Sequence, residues 1–161
     1  MSMETTLIYV INGNKVLLKK ATRGISAGKW NGLGGKIEAG EAPEANARRE
    51  AFEESGLVVE RLYYHGMMSH YLDGGKEKPT VNVHFFSTRH FSGKIKESDE
   101  GELRWFDVDK LPLGEMWEDG KYWAREAISG HAFDASFYYD IGNRAILRYH
   151  MKPHSAEPAP Q

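Results

Sequence analysis

Cysteine is absent from the 161 residues, which removes disulfides, thiolate nucleophiles and zinc-thiolate sites and leaves carboxylates and seven histidines as the side chains able to hold a metal. No apolar run approaches the roughly 20 residues that a membrane helix needs, so no transmembrane segment or membrane partner is expected. Met1-Ser2-Met3-Glu4 offers neither a basic start nor an apolar signal stretch, and a cytoplasmic location is the expectation. A basic excess is missing too. The net charge of −2 disfavours a protein that coats nucleic acid, and no stable nucleic acid complex is expected. Gly-x-x-x-x-Gly-Lys-Ser/Thr does not occur, which excludes a P-loop.

What is present suits one globular domain: 40% of the residues are apolar and 27% charged. Residues 1–153 read as a single domain, expected to be monomeric. Residues 154–161, rich in Pro and Ala with nothing to build a core, read as a disordered tail. Residues 5–12 and 15–20 flank Asn12-Gly13-Asn14 and predict a hairpin. Residues 23–35 hold five glycines and predict a loop, with a short strand near Leu33. Pro43 suits a first helical turn, residues 44–55 continue a helix, and Gly56 stops it. Two long antiparallel strands are expected over residues 57–72 and 80–88, and a short one over 103–106. A second helix is expected over 119–129, and a last strand at Phe137-Tyr138-Tyr139. Few helices and irregularly spaced strands predict an α+β domain, a mixed sheet flanked by two main helices.

The near-neutral total hides a polarised stretch. Residues 15–36 contain six basic side chains and no acidic one, whereas residues 37–60 contain seven acidic side chains against Arg48 and Arg49. Two solvated surfaces would account for this. So would a site where basic groups meet a polyanion and carboxylates meet a cation. Glu50, Glu53 and Glu54 stand at i, i+3 and i+4, on one helical face with neighbouring Cβ atoms about 5–6 Å apart. Like charges at that spacing repel unless a cation lies among them. Oxygen donors without Cys or His suit a hard divalent ion, Mg²⁺ first and Mn²⁺ as a substitute. Arg49, four residues before Glu53, is able to hold a carboxylate by a charge-assisted hydrogen bond. On the three glutamates alone, a solvated acidic face accounts for them at least as well.

The wider spacing changes that balance. Gly35, five residues, Glu41, seven residues, then Arg49-Glu50-Ala51-Phe52-Glu53-Glu54-Ser55-Gly56-Leu57 resembles the signature of the Nudix hydrolases at its charged and glycine positions. The resemblance implies an α/β/α sandwich around a mixed sheet and a loop–helix–loop that binds divalent cations. It implies Glu50, Glu53 and Glu54 as metal ligands, joined by the carbonyls of Gly34 and Gly35. Arg49 would orient a glutamate. Glu50 or Glu100 would take a proton from the attacking water, the family differing on this point.

The resemblance continues through Ala27-Gly28-Lys29-Trp30-Asn31-Gly32-Leu33-Gly34-Gly35-Lys36, Glu97-Ser98-Asp99-Glu100, Met116-Trp117-Glu118-Asp119 and Tyr122-Trp123. These are similar to the branch that converts oxidised purine nucleoside triphosphates, such as 8-oxo-dGTP, to monophosphate and pyrophosphate, cleaning the nucleotide pool. It implies Asn31 and Asp119 on the base edge and Trp117 over the base face. An amide offers donor and acceptor together, and an indole offers a stacking surface. Lys29 or Arg23 is a candidate phosphate contact, and His84 a candidate pocket wall. The sequence departs from the branch at Gly120, where a second aspartate is usual. Two further readings stay open: a Nudix hydrolase for another nucleotide (a dinucleoside polyphosphate, an ordinary nucleoside triphosphate or a capped RNA end), and a catalytically silent nucleotide sensor. Trp105, Phe106, Tyr138 and Tyr139 read as core or edge packing.

Overall fold

The computed structural model describes residues 2–96 and 101–154. The candidate Glu100 and most of the expected tail lie outside the described residues. His154 is described: its backbone N–H donates to the Ala132 carbonyl at 2.9 Å, and its ring pairs with Asp134.

Strand β1 (Met3–Asn12) turns through Gly13 into β2 (Lys15–Ala21), with Val10 opposite Leu17, as the hairpin pattern predicts. β3 (Trp30–Asn31) pairs with the far end of β2, while Leu33 makes a single bridge to Ile8. The short strand of this loop therefore lies two residues before the expected position. Helix α1 (Pro43–Ser55) begins at its proline and ends where Gly56 adopts a left-handed φ of 80°. β4 (Val58–Tyr71) and β5 (Val81–Ser92) form the long antiparallel pair, and β6 (Gly101–Asp107) runs along the full length of β2. A 3₁₀ turn (Leu113–Glu115) leads into α2 (Gly120–Ile128), followed by β7 (Phe133–Tyr139).

One strand was not expected. β8 (Ile146–Pro153) pairs with β7, so Phe137-Tyr138-Tyr139 is not the end of the sheet. It is an edge strand that places Arg148, His150 and Lys152 among apolar residues and stays mostly exposed, so its sequence lacks the apolar density of an inner strand.

The strands order as β3-β2-β1-β5-β4-β7-β8, with β6 on β2. β1/β5 and β4/β7 are parallel and the remaining pairs antiparallel, which makes the sheet mixed. Residues 6–11 of β1 are buried without a break, the pattern of a strand covered on both faces. Leu7, Tyr9 and Ile11 pack beneath α2 with Trp123, Ala124 and Ala127. Ile8 and Val10 pack beneath α1 with Ala47 and Ala51. The result is the helix–sheet–helix sandwich expected from the sequence, with β1 in its middle layer.

Phe85 on β5 is fully buried, edge-on to Tyr9 (5.2 Å) and Trp123 (4.9 Å). Phe85→Ala is expected to cost about 3–5 kcal/mol of stability, read from the midpoint of urea unfolding. A loss below about 1 kcal/mol would contradict this packing.

Candidate functional site

On helix α1 one cation, Arg49, gathers Glu50 and Glu53 together with Glu41 from the preceding loop. The Arg49 guanidinium donates to Glu41 through Nε (2.8 Å) and Nη2 (3.1 Å), and to Glu53 through Nη1 (3.1 Å). The same Nη1 lies 3.2 Å from Glu50 Oε1. Arg49 thus sits between glutamates that would otherwise repel. Glu53 stays half exposed at the surface, whereas the Glu54 side chain is only 2% exposed. Glu54 Oε2 pairs with Lys19 of β2, and Oε1 accepts the Gly34 N–H at 2.8 Å. Burial pushes the Glu54 carboxyl up to about 7, against the pull of Lys19 and the Gly34 N–H, with Glu50 adding to the rise.

The glycines explain how a loop comes so close. Gly34 has a φ of 145°, and a Cβ there would stand 2.1 Å from the Thr6 carbonyl oxygen. A Cβ on Gly35 would stand 2.6 Å from the Glu50 carboxyl carbon. Gly34 excludes any side chain, because the clash is with backbone at a positive φ, whereas a side chain at Gly35 would displace the Glu50 carboxylate from its place. Residues 33–37 run antiparallel beside β1: Ile8 N–H donates to Leu33 O (2.7 Å), Thr6 N–H to Gly35 O (2.9 Å) and Ile37 N–H to Glu4 O (2.9 Å). Buried Asn46 on α1 locks the strap, donating to Lys36 O and to Glu41, each at 2.8 Å, and accepting from the Thr6 hydroxyl.

Among the described residues, no group of three or more carboxylates and histidines converges into a preformed metal cage. The donor set nevertheless suits a hard divalent ion. Glu50 lies against the Gly35 backbone in space that a Cβ would fill, Glu54 lies buried beside it against Gly34, and the Gly35 carbonyl keeps a second lone pair after accepting from Thr6.

On the other side of β1 lies a pocket that brings together Asn31 and a distant stretch of chain, residues 117–119. Asn31, Trp117 and Asp119 line it, with Thr5, Thr6 and His70. The Trp117 indole is fixed by donation to Ser26 Oγ (2.9 Å) and by edge-on packing with Tyr139. Lys29 does not line this pocket; its Nζ stands 5.6 Å from the Trp117 ring centroid. His84 is also elsewhere, paired with Glu4 at 3.0 Å.

Asp119 is buried and saturated with donors. Oδ2 accepts from Trp123 Nε1 (2.6 Å) and His70 Nε2 (3.1 Å), and Oδ1 accepts from the Tyr139 hydroxyl. Burial alone would raise this carboxyl, but His70 and the hydrogen bonds from His70, Tyr139 and Trp123 outweigh it and hold the pKa below that of an ordinary aspartate. Sequence reasoning missed His70 and assigned Tyr139 to packing. Neither carries a motif signal, and both reach Asp119 through strand register.

The family model for the NUDIX domain matches residues 1–127. A zebrafish (Danio rerio) protein named oxidized purine nucleoside triphosphate hydrolase is 44% identical over 91% of this chain and 92% of its own length. A mouse (Mus musculus) protein of the same name is 37% identical over the same shares. The crystal structure of a MutT protein from Bacillus halodurans superposes with a TM-score of 0.78 at 28% identity, covering 92% of this chain and 97% of that one.

The Arg49 network makes a prediction about acid. The Glu41 carboxyl is held down from 4.5 to about 2, chiefly by the hydrogen bond from Arg49 and then by that from Asn46. Because the folded value is depressed, this stabilisation is complete above the ordinary value of 4.5 and is lost as pH falls toward about 2. In an NMR titration Glu41 is expected to protonate near pH 2, and Arg49→Ala to return its midpoint toward 4.5. An unmoved midpoint would show that Arg49 does not hold the carboxylate.

Proposed function

The chain belongs to the NUDIX domain family, and from that premise we propose that it hydrolyses oxidised purine nucleoside triphosphates such as 8-oxo-dGTP to the monophosphate and pyrophosphate. We infer Mg²⁺ as its cofactor, with Mn²⁺ as a substitute, and a monomer acting on free nucleotides in the cytoplasm. The observation that carries the reading is the shared strap. One segment, residues 31–35, supplies Asn31 to the apolar-walled pocket and packs Gly34 and Gly35 against Glu54 and Glu50. A nucleotide base and its phosphates need two such sites a few residues apart. The zebrafish and mouse relatives, which align over nine-tenths of the chain, bear the name of this activity.

In this reading Glu50, Glu53, Glu54 and the Gly35 carbonyl hold the cation. When bound, it supplies charge neutralisation at the triphosphate and acidifies the attacking water. The protein's own part is positioning. Arg49 keeps Glu50 and Glu53 aligned on the helix, and the Gly34 N–H keeps Glu54 turned toward the strap. Glu50 is our choice for the group that takes the water's proton, with Glu100 the other candidate. Trp117, braced by Ser26 and Tyr139, offers the base a rigid stacking face. Asn31 and Asp119 offer its edge polar partners, and Lys29, with its Nζ 5.6 Å from the Trp117 ring centroid, is the remaining candidate for a substrate contact. The four signature side chains Arg49, Glu50, Glu53 and Glu54 are all present, which favours an enzyme over a silent sensor.

Nucleotide binding without turnover in the parent protein would support the sensor, and the double substitution Glu53→Gln with Glu54→Gln tests the carboxylates. The enzyme reading expects turnover to fall by roughly 10²–10³-fold or more while nucleotide monophosphate still binds the pocket. Unchanged turnover would remove the carboxylates from the chemistry.

A further inference from the structure

We propose that His70 is a specificity-determining positioning residue: by donating to Asp119 it keeps that carboxyl an acceptor, so that the pocket selects 6-oxopurines of the guanine type and rejects 6-aminopurines. This rests on the reading of the pocket as a purine site, and names which purine edge it takes.

The polarity of both edge-reading groups follows from their partners. Asn31 Oδ1 accepts the Gly32 N–H at 2.9 Å. A backbone N–H can only donate, so the amide must turn its oxygen to Gly32 and keep its NH₂ for the pocket. Asn31 therefore acts as a donor. Asp119 has the opposite character. Its own backbone N–H donates to the Tyr139 oxygen at 3.0 Å, so the tyrosine proton points away from that N–H and onto Asp119 Oδ1. Trp123 Nε1–H is a donor only, and it occupies Oδ2. With those two contacts fixed as donors, His70 Nε2, 3.1 Å from Oδ2, completes a set of three donors around one carboxylate. One acceptor position is left for a ligand.

A donor beside an acceptor matches the O6 and N1–H of a guanine-type base. It opposes an adenine-type base, which offers an N6 amino group and a bare N1. Hydrogen-bonding sites reject a reversed edge far more strongly than apolar pockets reject an extra methylene.

His70 is the partner on which this polarity depends. Among the described pocket residues, His70 and Asp119 are the only two with titratable side chains, and Gly120 brings no second carboxylate. No positive φ requires glycine there, and a Cβ would meet only the mobile end of Met116, at 3.3 Å. The His70 ring is itself fixed, stacked on Phe137 with ring centroids 5.6 Å apart at an interplanar angle of 28°. Without the histidine, Asp119 loses one of its three donors. It is then free to bind a proton and to offer a donor to the wrong base.

The test is binding to the full chain by calorimetry, with 8-oxo-dGMP, 8-oxo-dAMP, dGMP and dAMP as probes, in the parent protein, His70→Phe and His70→Gln. Phenylalanine keeps the ring stack without the N–H; glutamine keeps a neutral N–H donor. The parent is expected to bind 8-oxo-dGMP about 100-fold more tightly than 8-oxo-dAMP. His70→Phe should shrink that ratio by about tenfold or more, and His70→Gln should restore most of it. A ratio unchanged in His70→Phe, equal weakening of both bases, or a parent that binds the two equally would overturn the proposal. A parent that holds 8-oxo-dGMP no more tightly than dGMP defeats the proposed function instead, and the dGMP to dAMP ratio then still judges His70.

Discussion

The close approach of Gly34 and Gly35 to β1 on one side and to α1 on the other is the constraint from which the site follows. The loop has no room for a side chain at Gly34, one at Gly35 would displace the Glu50 carboxylate, and its backbone is fixed to β1 and to buried Asn46 and Glu54. Because the same short segment continues back to Asn31, the pocket and the carboxylate face are held at a set spacing by rigid backbone. A site that must align a base with a distant phosphate benefits from such a strap, since misplacement of reacting groups by an ångström is costly.

Two buried carboxylates show how the fold handles charge at this junction. Glu54 is met by Lys19 and one backbone N–H, and burial still pushes it up to about 7. Asp119 is met by three side-chain donors, and it stays below its ordinary value despite being buried. The difference lies in the surroundings: Asp119 has the attraction of His70 and three hydrogen bonds, whereas Glu54 is raised by neighbouring Glu50 as well as by burial. On the proposed reading, a bound cation would add to the positive charge that Lys19 brings to Glu54. Asp119 is satisfied from within and can present a lone pair to a ligand. Substitution of Asp119 would also strand the Trp123 N–H and the Tyr139 hydroxyl in the interior, so effects of Asp119→Ala would mix recognition with stability.

Much of this was legible in the order of residues. Pro43 and Gly56 bracket α1 because one suits a helical start and the other a left-handed stop, and both signals are local. The spacing from Gly35 to Glu54 was legible as a motif, and the fold sets Glu50 against Gly35 and Glu54 against Gly34. Asn31, Trp117 and Asp119 were named from resemblance, and the fold brings them to one pocket. What was not legible depends on register between distant strands. His70 meets Asp119 across 49 residues, and Lys19 meets Glu54 across 35, with no motif linking either pair. β8 escaped because an exposed edge strand has no need of a buried face.

The central claim is that this pocket and this carboxylate helix act together on one damaged nucleotide. The most direct measurement is kcat/KM with Mg²⁺ for 8-oxo-dGTP against dGTP, with the released product resolved as pyrophosphate or phosphate. A large preference for the oxidised base and release of pyrophosphate are expected. Equal rates on the two nucleotides, or release of phosphate, would contradict that claim.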